Sequence, residues 1–266
     1  MKIIDNLQAW RRLRKKLSGS IGFVPTMGAL HRGHAGLLER SVAENAVTVL
    51  SIYLNPTQFN NPDDLARYPC TLEQDLRLAR ELGVDVVLLP GYEDLYADGY
   101  RFRIEEHQFS RELCGAHRPG HFTGVLTVVM KLLNLVRPNR AYFGEKDFQQ
   151  LQLIRDMCET FFMDVDIVPC ATVRETDGLA LSSRNALLDA SGRARSAQFQ
   201  KLLRSDLDDA GVARELERAG FVVDYVETRD GRRFGAILVS CGDRQVRLID
   251  NVSLEPERRV AVAAAG

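Results

Sequence analysis

The stretch Ile21-Gly22-Phe23-Val24-Pro25-Thr26-Met27-Gly28-Ala29-Leu30-His31-Arg32-Gly33-His34, continued by Ala35-Gly36-Leu37-Leu38-Glu39-Arg40-Ser41, decides how the chain is read. Ile21 to Val24 is a short apolar run that predicts a buried strand, and Pro25 ends it. From His34 onward Leu37, Leu38 and Val42 suit one side of a helix, so both histidines fall at a strand-to-helix junction. A helix start offers unpaired N–H groups and a partial positive charge, and Gly28 and Gly33 let an anion approach the main chain. Two imidazoles three residues apart add donors to the same anion. A bare H-x-G-H fits equally well with one histidine as a helix cap and the other on the surface, so the rest of the chain has to decide.

Outward from this stretch the pattern repeats. Ala46 to Leu54 is continuously apolar and β-branched, as an interior strand of a parallel sheet should be, and it runs into the Asn55-Pro56-Thr57-Gln58-Phe59 loop. Asn55 and Gln58 carry amides that suit a hydroxyl or a carboxylate, although in most loops such residues only shape a turn. Thr71 is expected to cap a helix with Leu72, Leu76, Ala79 and Leu82 on one face, Val84 to Leu89 to form a buried strand, and Arg101 to Ile104 a short edge strand. Arg118 in the Cys114–His121 loop suits an anion or the surface equally. Phe122 to Val136 is apolar nearly all round, which places a helix either in the core or at a subunit interface. Ala141 to Phe143 is a further strand before Gly144-Glu145-Lys146-Asp147, with Gln150 in the helix that follows. Lys146 at that turn suits a phosphate.

Ahead of the histidine motif, Asn6 caps a helix to Leu17 with Leu7, Trp10, Leu13 and Leu17 on its buried face. Beyond the strand Asp164–Val168, the polar run from Thr172 to Asn185 breaks the rhythm and reads as a hinge, with Ser182, Ser183 and Arg184 in succession. Helical patterns then give way to β-type runs at 221–227, 234–240 and 245–249, with Gly242-Asp243-Arg244 as a hairpin turn. The expected fold class is therefore α/β. A Rossmann-like parallel-sheet domain over residues 1–174 precedes a small α+β domain with an antiparallel sheet over 175–266. The tail from Ala261 to Gly266 is expected to fray.

Composition excludes several classes. The chain has 266 residues, 45% hydrophobic and 27% charged, with a net charge of -1, so it lacks the basic footprint of a nucleic-acid binder. No apolar run is long enough to span a bilayer, and the N-terminal segment is too charged for a signal-peptide core. Five widely separated cysteines without a C-x-x-C pair suit free thiols in the cytoplasm.

Four loops, around His31/His34, Asn55/Gln58, Lys146/Gln150 and Ser182/Ser183/Arg184, are rich in groups that hold phosphate or a small polar acid. Three of them follow expected parallel strands and so share one crevice at the strands' carboxyl ends. Together with Arg118-Pro119-Gly120-His121-Phe122 and the runs Gly144 to Leu151 and Asp177 to Asn185, these motifs closely resemble the pantothenate synthetase (pantoate–β-alanine ligase) family. The resemblance is dense from Ile21 to Asn185. The family belongs to the nucleotidyltransferase superfamily, which includes the class I aminoacyl-tRNA synthetases and their H-I-G-H signature.

The resemblance implies an ATP-dependent, AMP-forming ligase that condenses (R)-pantoate with β-alanine through pantoyl adenylate, with Mg²⁺, as a cytoplasmic homodimer. It implies that His34, His31, Lys146 and Arg184 are catalytic and that Ser182 and Ser183 help to hold the phosphates. The nucleotide site would run through Met27, Gly28, Ala29, Leu30, Arg32, Gly33, Gly144, Glu145, Asp147, Val173 and Leu181. Gln58, Gln150 and Asn55 would bind pantoate, Asp75 would be linked to Mg²⁺, and the C-terminal domain would close as a lid. Cys70 stands where the family is expected to have Arg, so no anion contact is carried over there. Two other readings keep the H-x-G-H motif: a nucleotidyltransferase of different specificity, whose product retains the nucleotide, and a nucleotide-binding sensor that does not consume ATP.

Overall fold

A computed structural model describes residues 1–255 of the chain, which fall into two compact units, 1–188 and 189–255. The tail from Ala261 to Gly266 lies outside the described residues.

The first unit carries six strands: β1 (Lys2–Ile4), β2 (Ile21–Thr26), β3 (Val47–Ile52), β4 (Val86–Leu88), β5 (Arg140–Gly144) and β6 (Asp166–Cys170). Its helices are α1 (Leu7–Arg14), α2 (Arg32–Glu44), α3 (Pro62–Ala66), α4 (Leu72–Glu81), α5 (Tyr92–Leu95), α6 (Cys114–His117), α7 (His121–Val136) and α8 (Phe148–Thr160). The strands form one parallel sheet in the order β1-β4-β3-β2-β5-β6. Phe23, Val24, Val49, Leu50, Val87, Leu88, Ala141 and Tyr142 are all fully buried, which is why these strands read as unbroken apolar runs rather than alternating ones. The chain order reverses on either side of β2, whose neighbours are β3 and β5, and the crevice at such a switch point is where open α/β sheets bind ligands.

Two helices settle points the sequence left open. Asn6 caps α1 through an acceptor bond from the Ala9 N–H (2.8 Å). The buried Trp10 then donates from Nε1 to the Leu135 carbonyl (2.8 Å), and Arg14 donates to the carbonyls of Val136 (2.7 Å) and Arg137 (2.9 Å), closing the C-terminus of α7. In α7, Phe122, Val125, Leu126, Val128, Val129, Leu132, Leu133 and Val136 are all buried within this chain. Most of its apolar circumference is therefore core within this chain, Met130 and Leu135 being half-buried.

The structure departs from expectation at both ends of regularity. Residues 101–104 form no strand: the Ile104 N–H donates to Thr127 Oγ1 (2.9 Å) rather than to a ladder, and Phe102 is exposed. The edge next to β4 is taken by β1, whose three residues are too short to show a period and are recruited by pairing alone. The two compact units divide after Leu188 and not after Arg174: the intervening loop is closed on itself by an Arg174↔Ala180 bridge and a Leu181 N–H to Val173 carbonyl bond (3.0 Å), and it is tied to the first unit by the Ser183 hydroxyl, which donates to the Ala29 carbonyl (3.2 Å).

The second unit comprises α9 (Ala190–Leu203), α10 (Asp209–Arg218) and the antiparallel strands β7 (Val222–Arg229), β8 (Arg232–Cys241) and β9 (Arg244–Ser253). The hairpin turn falls at Gly242-Asp243, as the sequence suggests. Phe199, Leu203, Val212 and Leu216 form its buried helical side.

Candidate active site

The loop after β2 places the histidines. α2 begins at Arg32, two residues earlier than its apolar face shows, so His31 is its N-cap and His34 lies in its first turn. His31 Nδ1 accepts the Gly33 N–H (3.1 Å), and His34 Nδ1 accepts the His31 N–H (3.3 Å). A backbone N–H only donates, so Nδ1 is the bare nitrogen of both rings and the proton sits on Nε2. The two rings lie against each other at a tilt of 36°, with centroids 4.1 Å apart. Burial, aided by the charge of Lys146, lowers the His31 pKa to about 4; burial, then His31 and Lys146, lowers that of His34 to about 3. Both are therefore neutral Nε2–H donors at physiological pH. Gly33 is required for this cap: a Cβ there would stand 2.8 Å from His31 Cε1.

The turn between β2 and α2 is held from outside. Gly28 and Ala29 are both left-handed, with φ of 82° and 49°. For alanine that conformation costs on the order of 1 kcal/mol. Asp75, in the first turn of α4 and only 2% exposed, accepts the Ala29 N–H at Oδ2 (2.9 Å), and the Leu30 N–H (2.8 Å) and the Thr71 hydroxyl (3.0 Å) at Oδ1. Thr71 thus bonds the Asp75 side chain instead of capping the backbone of its helix. The amides expected to meet a phosphate at Ala29 and Leu30 already face the protein's own carboxylate.

The turn after β3 is built from amides. Asn55 Oδ1 accepts the Tyr96 hydroxyl (2.9 Å) and the Thr57 hydroxyl (3.0 Å). Asn55 Nδ2 in turn donates to Gln58 Oε1 (2.9 Å) and to the Gly124 carbonyl (3.3 Å). With Oε1 occupied, Gln58 offers a ligand its Nε2 donor. The Gln58 carbonyl is braced by Arg118 (3.3 Å) and by His121 Nδ1 (2.8 Å); since Arg118 can only donate to His121 Nε2 (3.1 Å), His121 donates from Nδ1. α7 packs directly on this turn, and a Cβ on Gly124 would stand 2.4 Å from the Thr57 carbonyl oxygen.

A cavity of about 230 Å³ opens at the carboxyl ends of β2, β3, β5 and β6. It brings together Met27, His31, Gly33, His34, Asn55, Gln58, Gly144, Lys146, Asp147, Gln150, Val173, Leu181, Ser182, Ser183 and Arg184. Gly28, Ala29, Leu30, Arg32, Glu145 and Asp75 are not among its lining residues; Ala29 and Leu30 belong to the turn that Asp75 holds, and Arg32 is exposed. Arg184 reaches the cavity wall paired with Asp64 of α3, donating from Nε (3.3 Å) and from an Nη (2.8 Å). Ser182 Oγ caps the turn through the Arg184 N–H (3.3 Å), and the Ser183 hydroxyl donates to the Ala29 carbonyl (3.2 Å), tying this loop to the histidine turn. Lys146 Nζ lies 3.7 Å from Asp147 Oδ2.

Sequence reasoning missed the apolar wall of Val125, Val128, Val129 and Leu132, together with Tyr53, Tyr68, Tyr142 and Phe143. The α7 residues of that wall were visible as an apolar helix, but not as a ligand wall. Tyr96 and Asp64 carried no local signal at all. A larger cavity, about 590 Å³, lies between α1 and α7, but Trp10 and Arg14 in its lining are already occupied with the α7 C-terminus.

The described residues form no ready-made cage for a metal ion. Both Asp75 oxygens are occupied by N–H and O–H donors, and among the described residues no group of three or more His, Cys, Asp or Glu is arranged around a common point. No helix of the described residues is long and apolar enough to cross a membrane. All five cysteines are free; Cys70 is exposed and its thiol faces the Tyr68 carbonyl, and the other four are buried.

Comparison with known proteins places this arrangement. A family model described as pantoate-beta-alanine ligase matches residues 1–253. A pantothenate synthetase of Legionella pneumophila is 51% identical over 256 residues, covering 96% of this chain and all of the relative. One of Bdellovibrio bacteriovorus is 53% identical over 250 residues, covering 94% of this chain and 97% of the relative. The crystal structure of a pantoate-beta-alanine ligase from Francisella tularensis, complexed with beta-gamma ATP and beta-alanine, superimposes with a TM-score of 0.91 at 41% identity, covering 96% of this chain and 98% of that one. A pantothenate synthetase from Thermus thermophilus gives 0.85 at 38% identity, covering 96% of this chain and 100% of that one.

Proposed function

This chain belongs to the pantoate–β-alanine ligase family, and from that premise we propose how its own residues carry the reaction. The enzyme joins pantoate to β-alanine at the expense of ATP. In the first step the pantoate carboxylate attacks the α-phosphorus of ATP, a P–O bond breaks to release pyrophosphate, and pantoyl adenylate forms. In the second the β-alanine amine attacks the acyl carbon, loses a proton, and AMP leaves with its electron pair, giving pantothenate.

The observation that carries this assignment of roles is the pair of neutral imidazoles, each with Nδ1 engaged by backbone, in the same cavity wall system as the Gln58 amide and Lys146. Phosphoryl transfer asks for positioned reactants and stabilised charge more than for covalent help. His31 and His34 act as Nε2–H donors to the phosphates, and at their depressed pKa values they stabilise charge without delivering a proton. Lys146 supplies a compact positive charge on the same anion. Arg184 joins it by exchanging Asp64 for a phosphate oxygen, while Ser182 and Ser183 shape the loop that carries it. Gln58, held by Asn55, and Gln150 bind the pantoate side, with the α7 residues as the apolar wall for its methyl groups.

Mg²⁺ would enter with the nucleotide and be held chiefly by its phosphates and by water, since the described residues form no ready-made group of metal ligands and Asp75 already serves the backbone of residues 29 and 30. We place the enzyme in the cytoplasm, where its five free thiols stay reduced. We also assign a homodimer, formed through a surface other than α7, which light scattering of the purified protein tests.

The deciding experiment is AMP and pyrophosphate release from Mg-ATP and pantoate, with and without β-alanine. AMP turnover that requires both acids is expected. A product that retains the nucleotide, or untouched ATP, overturns the reading.

A further inference from the structure

We infer that Asp75 is a positioning residue of the adenylation site: its carboxylate does not hold a metal ion but secures the turn on which His31 and His34 stand. The inference rests on the ligase reading above. Two successive left-handed residues, Gly28 and Ala29, lead into His31, and the alanine gains nothing from that conformation by itself. What stabilises it is a buried carboxyl acceptor that takes the N–H groups of Ala29 (2.9 Å) and Leu30 (2.8 Å) at once. The Thr71 hydroxyl (3.0 Å) adds a third donor and anchors the carboxylate at the start of α4. The contact is close throughout, since a Cβ on Gly28 would lie 3.0 Å from Asp75 Oδ2.

The consequence reaches the chemistry through one peptide. Leu30 precedes the residue whose N–H donates to His34 Nδ1 and whose ring accepts from Gly33, so a turn that relaxes at Ala29 and Leu30 re-aims both Nε2–H donors. Small displacements of groups that stabilise a transition state are expensive in rate. An asparagine at position 75 has the same shape but only one acceptor oxygen, and its NH₂ would confront a backbone N–H. The isosteric variant is therefore expected to lose the clamp.

The test is Asp75→Asn in the full-length enzyme, read by steady-state kinetics, Mg²⁺ titration and the ¹⁵N–¹H amide shifts of Ala29 and Leu30. We expect kcat to fall about 10- to 100-fold. KM for pantoate and the half-saturating Mg²⁺ concentration should stay within about twofold, and both amide protons should move upfield as they lose a charged acceptor. A rate restored by excess Mg²⁺ would show a metal ligand and overturn the inference, as would a folded variant with kcat within twofold of wild type or with both amides unmoved. Should Asp75→Asn fail to fold, Thr71→Val removes one of the three donors only: kcat about two- to fivefold lower with a shifted Leu30 amide supports the clamp, and no change in either refutes it. Loss of the ligase reading would show instead in the wild-type assay, while the amide shifts report on the clamp whatever the substrates prove to be.

Discussion

The turns after β2 and β3 leave neighbouring ends of the same sheet, where Thr26 pairs with Ile52, yet they are secured by opposite means. The β2 turn is held by charge: a buried carboxylate takes two backbone amides, and imidazole nitrogens take two more. The β3 turn is held by a neutral relay that runs from the Tyr96 hydroxyl through Asn55 to Gln58. The difference suits what each must offer. A site for a polyanion is best lined with donors whose own acceptors are already occupied, and a buried carboxylate makes the β2 turn rigid without facing the ligand. A site that must admit a carboxylate as nucleophile needs orientation without strong charge, and a relay of amides directs a single N–H₂ group while leaving the nucleophile its electrons.

Breaking the charged side should cost most. His34→Ala is expected to lower the single-turnover rate of pyrophosphate formation by about 10²–10³, the usual loss for one preorganised donor. A near-normal rate would remove His34 from the mechanism.

On the neutral side, Gln58→Ala should raise KM for pantoate about 10- to 100-fold, as deletion of a hydrogen bond to a charged group does, and leave KM for ATP within twofold. Equal effects on both substrates would mean that the two turns are not separate subsites. Tyr96→Phe sharpens the contrast, because it touches no ligand and removes only the first donor of the relay. KM for pantoate should rise about three- to tenfold with no change in the ATP constant, and an unchanged pantoate constant would show that Asn55 orients Gln58 unaided.

The last effect is on stability and is one of pH. His31, His34 and His121 are all held below the imidazole's ordinary range, His121 at about 3 through burial and the nearby Arg118. An unfolded chain therefore binds more protons than the folded one below pH about 6.5. The stability from keeping these rings neutral is complete above that pH and is lost as pH falls toward 4 and then 3, by up to about 1.4 kcal/mol per pH unit for each histidine. His121→Gln, which lies away from the phosphate side, should flatten the fall in Tm between pH 6.5 and 4 without a matching change in kcat at pH 7.5. A wild-type Tm independent of pH across that window would contradict the buried neutral rings.

Much of the first unit was legible because a buried parallel strand and an amphipathic helix leave local periods. β2, β3, β5, α7 and α8 all lie within a few residues of where their apolar runs put them. The N-cap bond of Asn6 and the Gly242-Asp243 hairpin were likewise local chemistry. What escaped was non-local. β1 is a strand only because β4 offers it an edge, and residues 101–104, which alternate adequately, pair with no strand, Ile104 bonding Thr127 instead. The start of α2 was set too late because its first turn is capped by histidines rather than by an apolar face.

The order of the loops, and the residue types within them, follow from the sequence alone: histidines, amides, a lysine and an Arg-bearing turn, each at a strand end or close after one, are a matter of local pattern. Which atom of each residue faces a ligand was decided by tertiary structure. The family resemblance links Asp75 to Mg²⁺, while the fold shows its carboxylate accepting the amides of residues 29 and 30, and only the fold sets Asp64 beside Arg184. Gln58 becomes a donor only once Asn55 has taken its oxygen. The physical reason is that a side chain's identity sets which hydrogen bonds it can make, whereas the partners that use them come from residues far away in the chain, and only the fold brings those partners together.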